Sequence, residues 1–291
     1  MTATAVEHGA AQGYRPTRTL GVWTEVRRQA TRRRTQLALG FMVALPLIIL
    51  AAFELGGDDD GGGRRQSQFS DLVNLATAGG LNFALFTVFV SAGFLLVVAV
   101  ALFCGDTISS EASWGSLRYL LAVPVPRGRL LGVKFGVSLM YCGVAMALLV
   151  GTALAAGTAR YGWHPLQSSI AAEISANQAL LRLLGIIGYL AVSLLVVGSL
   201  AFLLSVSTDA PLGAVGGAVL LNILSNILDQ ITALGSIRTL LPTHFNEAWL
   251  GFLSTPIQTD DMVRGCVSSV SYAVLFLGLA WWRFLRKDVV S

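Results

Sequence analysis

The sequence predicts an all-α membrane protein with six transmembrane helices. Three observations carry that prediction. Hydrophobic residues make up 54% of the 291 residues and charged residues 12%, about half the ~25% charged content of a soluble domain. Six stretches approach the roughly 20 apolar residues that cross a bilayer as helix. None of the six holds Asp, Glu, Lys or Arg. The mean hydropathy of +0.69 agrees. This balance excludes an ordinary soluble enzyme and a disordered chain.

Taken in order, residues 1–18 read as a flexible cytoplasmic tail. Residues 19–35 read as an amphipathic helix lying on the membrane, with Leu20, Trp23 and Val26 on one face and arginines around the rest. A Trp-anchored, Arg-rich helix suits an anionic inner leaflet. Trp23, Arg27, Arg28, Arg32, Arg33 and Arg34 are therefore the expected membrane-interface residues. The alternative is a plain topogenic charge cluster. Residues 36–291 read as a single six-span transmembrane domain.

The expected spans are Leu37–Phe53, which carries Pro46, then Leu81–Phe103, Phe135–Ala156, Leu183–Leu204, the glycine-rich Leu212–Leu228, and Gly265–Trp282. The first is expected to be retained. A secretory signal has its apolar run near the start, followed by a small-residue cleavage site. Here some 36 mostly polar and basic residues come first, and an acidic stretch follows. Between spans five and six, Phe245, Trp249 and Phe252 recur at helical spacing within Thr243–Leu253. This amphipathic outer segment either re-enters the membrane or forms a loop helix.

Orientation follows from the basic residues, which gather on the cytoplasmic side. With both termini inside, fourteen Lys/Arg lie inside and six outside. The chain is thus expected in the cell (inner) membrane as a multi-pass protein. The net charge of +4 then reflects topology, and nucleic acid is not an expected partner. The outer run Gly56–Arg65 holds Asp58, Asp59 and Asp60 between glycines. Floppy backbone fixes no ligand geometry there, so no metal site is expected.

The chemistry that is missing narrows the function. No GxxxxGK[ST] occurs, so no ATP-hydrolysing phosphate loop is expected in this chain. Cys104, Cys142 and Cys266 are scattered and no Cys/His cluster exists. His8, His164 and His244 all lie outside the spans, so Ser193, Ser199 and Ser205 have no histidine at membrane depth to activate them. These serines read as helix-packing residues. Catalytic residues are not expected. Ion-coupled transport fits poorly with spans that lack ionisable residues. Asn222 and Asn226 share a helix face, as interhelical packing or as a polar strip in a translocation path. Gly213 and Gly217 form a small-xxx-small pattern that permits close helix approach.

The segment Gly105–Lys134 is too apolar for a free loop and carries Ser109 and Glu111 as a helix-start signal, with Pro124 and Pro126 as the stop. It contains Asp106, Ser109 with Glu111, Gly115-Ser116-Leu117, Leu120-Leu121, Pro124-Val125-Pro126-Arg127 and Lys134. In this it resembles the permease subunits of type 2 ATP-binding-cassette (ABC) exporters, with Ser116 where those carry threonine. The six-span layout extends the likeness to nearly the whole chain.

The resemblance implies a short cytoplasmic coupling helix between spans two and three that docks on a separate ATPase subunit. Asp106, Glu111, Gly115, Leu117, Arg118, Tyr119, Leu120, Pro124 and Arg127 would form or border that contact. It further implies a permease homodimer, two ATPase copies holding ATP and Mg2+, and no cofactor on this chain. The cargo would be a hydrophobic or amphiphilic small molecule such as a drug, peptide antibiotic or lipid-like compound. Sodium export, lipid export and a non-transporting scaffold or sensor role are the competing expectations.

Overall fold

Long apolar runs, punctuated by glycine, proline and charge, set the helices of this chain. The computed structural model describes residues 21–55, 72–113, 126–167 and 174–286. The α-helices are α1 (Val22–Ala30), α2 (Arg33–Leu55), α3 (Gly80–Ala92), α4 (Leu95–Ser113), α5 (Arg127–Tyr161), α6 (Ala176–Ser193), α7 (Leu195–Ser207), α8 (Pro211–Gln230) and α9 (Asp260–Arg286). Two 3-10 helices, Thr232–Leu240 and Ala248–Leu253, join α8 to α9. Residues 72–77 are also helical. Six helices are long and apolar enough to cross a membrane: α2, α4, α5, α6 with α7, α8 and α9. The chain is an all-α, multi-pass membrane protein, as its sequence predicts.

Burial separates the helices into a core and a shell. The most apolar window of α4 is 78% buried, against 11% for α2 and 22% for each of α8 and α9. α4 packs against α5, α7 and α8, while α2 leans on α5 and α9 on α7. The exposed apolar side chains of the outer helices, such as Leu47, Leu220 and Val274, suit contact with lipid chains. Small residues let the core helices close up. A Cβ on Gly105 would sit 3.3 Å from the backbone of Val215 on α8. Gly80 of α3 and Thr158 of α5 meet more closely still, since an added Cβ would lie 2.6 Å from the Thr158 nitrogen.

Helix boundaries differ from expectation where polar residues are buried. The second span is not one helix over 81–103. α3 and α4 are separated at Gly93–Phe94 and run together beside the 35-residue α5. α4 continues to Ser113, and α5 begins at Arg127, eight residues before the expected start. What the sequence suggested was a loop from Gly105 is therefore helix as far as Ser113. Asp106, Glu111 and Lys134 lie inside spanning helices, which corrects the expectation that the spans lack ionisable residues. The fourth span is interrupted at Leu194.

The N-terminal amphipathic helix is shorter than 19–35. It ends at Ala30, and Arg33 already opens α2. The stripe of Phe245, Trp249 and Phe252 is carried by turns and a 3-10 helix, not by an α-helix. The segment folds back on the bundle. The Phe252 ring lies against Gly185 of α6, and Tyr189 donates a hydrogen bond to the Phe245 carbonyl at 2.5 Å. The serines of span four pack as expected: Ser205 Oγ accepts from the backbone N–H groups of Ile108 and Ser109, each at 3.0 Å. The acidic run 56–65 lies outside the described residues.

Candidate functional site

Two polar regions occupy opposite ends of the bundle. At one end, the last turns of α4 and the first turns of α5 place Asp106, Glu111 and Lys134 together, and α1 closes over them. Lys134 Nζ donates to Glu111 Oε1 at 2.6 Å and to Glu25 Oε1 at 2.9 Å. Arg28 reaches the same Glu111 oxygen at 2.9 Å. Arg32 and Arg34 hold Asp106 at 3.4 and 2.7 Å. The Lys134 and Glu111 side chains have no solvent exposure. Tyr141 adds a hydrogen bond to the Val26 carbonyl at 2.8 Å. A buried charge is tolerated only when it is paired and hydrogen-bonded, and here four cations meet three carboxylates.

The arrangement explains why α1 docks with a polar face inward. Glu25 and Gln29 are its buried residues, while Trp23 and Val22 point outward with 76% and 54% exposure. Arg127, at the start of α5, donates to the Leu285 carbonyl near the end of α9 at 3.2 Å. The two helix ends that flank residues 114–125 are thus tied to α1 on one side and to α9 on the other.

At the other end lies a cavity of about 500 Å³. Both helix interruptions, Gly93 and Leu194, line it, as do Asn222 and Asn226 of α8 and the turn from Pro242 to Glu247. Most polar groups here are satisfied locally. His244 Nδ1 lies 2.6 Å from Asp229 Oδ1, and Ser225 shares a 2.7 Å hydrogen bond with Thr243. Ser193 donates to Asn246 at 3.1 Å. The side-chain nitrogen of Asn222 is different: it is buried and has no hydrogen-bond partner. Leaving such a donor unsatisfied costs about 1–3 kcal/mol.

The comparisons with known proteins bear on the whole bundle. A family model described as "Protein of unknown function (DUF2705)" matches residues 36–290. The chain belongs to the DUF2705 family. No curated protein matches it. In this DUF2705 member, the matched region takes in the cavity end and the Asp106, Glu111 and Lys134 part of the charged end, and begins after α1 and the arginines that pair with them.

The residues singled out in the sequence fall into three groups in this DUF2705 chain. Gly115, Leu117, Arg118, Tyr119, Leu120 and Pro124 lie outside the described residues. Asp106 and Glu111 are buried, at 6% and 0% exposure, so their carboxylates face the interior and not a docking surface. That burial is not visible in the sequence. Its cause is that α4 runs on past residue 105 and α1 supplies arginines to its end. Arg28, Arg32 and Arg34, expected at the lipid surface, pair with these carboxylates, Arg34 while staying exposed, and Trp23, Arg27 and Arg33 are exposed as well. Asn222 and Asn226 do line one cavity together. Glu25 was not singled out, although a lone acid in an Arg-rich helix is a signal of an inward-facing charge. Gly217 approaches Leu204 of α7, and the tightest contact of α8 is made instead through Val215 at Gly105.

Proposed function

We propose that the chain is the permease subunit of an ATP-driven ABC exporter. In this reading two copies assemble with two cytoplasmic ATPase subunits, which bind ATP and Mg2+ and do the hydrolysis. The permease itself is not an enzyme. It moves a hydrophobic or amphiphilic small molecule out of the cell by alternating access, from the cell membrane, with both termini in the cytoplasm.

The observation that carries the reading is the convergence of motif residues. Asp106, Glu111 and Lys134 were singled out by the resemblance to exporter permeases, and they meet in one buried cluster. They grip the two helices that enter and leave residues 114–125. A coupling element must be held stiffly, because a loosely held one would absorb the motion it should transmit. Ion pairs to α1 supply that hold. The cluster also answers the ionisable residues now found within the helices: each lies against an opposite charge.

The direct test is purification of the tagged chain from its own membranes in mild detergent. An ATPase with phosphate-loop motifs is expected to co-purify, and its hydrolysis should rise when permease is present. A chain that purifies intact with no ATPase, under several detergents, overturns the reading and favours the scaffold role. Orientation is tested by labelling: a cysteine within 56–63 should react with an impermeant reagent from outside, and one at Arg129 should not. Reversed labelling would put residues 114–125 on the wrong side for an ATPase.

A further inference from the structure

The 500 Å³ cavity has a neighbour. A second, largely apolar pocket of about 220 Å³ is lined by Leu75, Leu85, Phe86 and Leu253, among others. Phe89 and Trp249 line both chambers. Their rings meet edge to face with centroids 6.2 Å apart, so this pair forms a wall that the two chambers share. The first chamber is lined by polar and apolar side chains together and the second mainly by apolar ones, and Phe89 and Trp249 belong to both walls. Small-molecule sites are commonly about 300–1,000 Å³, mainly apolar, with a few placed polar groups.

The first chamber carries its own signature. Asn222 is 7% exposed, lines the chamber, and holds an amide nitrogen with no acceptor. Buried polar groups in folded proteins are nearly always satisfied, so an orphan donor at a cavity wall marks a place for an acceptor. The ionisable lining consists of Asp229, Glu247 and His244, with neither lysine nor arginine among the described lining residues. Asp229 is engaged by His244 and Arg238, and Glu247 sits at the exposed rim. An anionic head group would meet two carboxylates there.

We propose that the two chambers form one binding site for a non-anionic amphiphile. Its head group accepts a hydrogen bond from Asn222, and its apolar part lies beyond the Phe89–Trp249 pair. The site is built within a single chain, so binding needs no second copy and no ATPase. Identifying the ligand as cargo rests on the exporter reading; the binding itself does not.

The test uses the full chain in phospholipid nanodiscs, with empty nanodiscs subtracted. The probe is rhodamine 6G, a fluorescent cationic amphiphile with an ester carbonyl. Carboxyfluorescein, an anion with a related ring system, is the comparator. Rhodamine 6G should give a saturable rise in anisotropy, and carboxyfluorescein should not. Asn222→Leu should weaken binding about tenfold, the worth of one buried hydrogen bond. The same variant should keep or raise the thermal midpoint of the empty protein, because it removes an orphan donor. A merely structural asparagine would lower it. Phe89→Ala, at a half-exposed position, should weaken binding severalfold by removing an aromatic wall. Equal binding of both dyes, or wild-type affinity in Asn222→Leu, overturns the proposal. If an ATPase co-purifies yet the wild-type chain shows no saturable rhodamine 6G binding, this site falls and the exporter reading stands. Binding as described in a chain with no ATPase partner keeps the site and removes the exporter reading.

Discussion

The two polar ends of this bundle solve the same problem in opposite ways. At the charged end, each of three buried carboxylates has a cationic partner, and the Lys134–Glu25 pair joins positions 109 residues apart. At the cavity end, polar groups are satisfied mainly by neighbours in the returning 3-10 segment, and Asn222 keeps an unmet donor. An ion-paired set rigidifies whatever it joins, whereas a buried donor without an acceptor is costly unless something fills its place. The first end has the build of an anchor and the second that of a receptor. Distributing the two roles to opposite ends lets the bundle grip one thing firmly and hold another reversibly.

That contrast is broken most directly at Lys134. Lys134→Met leaves the buried Glu25 carboxylate without its cation and Glu111 with only Arg28 and Arg32. Removing one partner of a buried pair costs about 3–5 kcal/mol, so folded yield and the thermal midpoint in detergent should fall further than for any other single change here. Adding Glu25→Gln and Glu111→Gln to that variant should recover part of the loss, because no charge is then stranded. A triple variant no better than Lys134→Met would show that the ion pairs are not what holds α1.

Asp106→Asn should cost less, about 1–3 kcal/mol for charge-assisted hydrogen bonds, since its partners keep access to solvent. Arg34 is 59% exposed in its side chain, and Arg34→Ala should cost about 0–1 kcal/mol, as surface pairs do. At the other end, Arg160 and Glu54 form an exposed pair at 2.8 Å, and Arg160→Ala should leave the thermal midpoint unchanged. The smallest expected effect is none at all: in vesicles supplied with ATP, a protonophore should leave transport intact. Loss of transport with ATP held constant would make the buried carboxylates a proton path and not an anchor.

The spans were legible in the sequence because runs of Leu, Val and Ala leave little choice of environment. Their polar ends were not. Asp106, Ser109, Ser110 and Glu111 look like loop residues, since hydropathy counts each alone and cannot see the arginines that α1 brings to them. Ser109 and Ser110 also donate to the Gly105 and Asp106 carbonyls within their own helix, which lowers their cost of burial. Gly93 hinted at an interruption, but nothing in the residues around Leu194 announced one. The aromatic stripe of Thr243–Leu253 correctly marked a face that packs inward, with Trp249 at 3% exposure. Its helical period misled, because Pro242 and Gly251 shape a chain that must turn back within a short span. For the cavity, Asn222 and Asn226 were visible as a pair. Their orphan donor and the wall formed by Phe89 and Trp249 arise only from the folded arrangement.

The central claim is that residues 114–126, held by the charged anchor, contact an ATPase. Leu117→Asp tests it most directly, because it changes none of the residues that form the anchor or line the two chambers. An unpaired charge pressed into an apolar contact typically costs about 2–5 kcal/mol, and about 1.4 kcal/mol is tenfold in an equilibrium. The variant should reach the membrane in wild-type amounts with an unchanged thermal midpoint, while its recovery of ATPase partner falls at least tenfold and stimulated hydrolysis falls with it. Wild-type recovery of the partner with full stimulation would contradict the account.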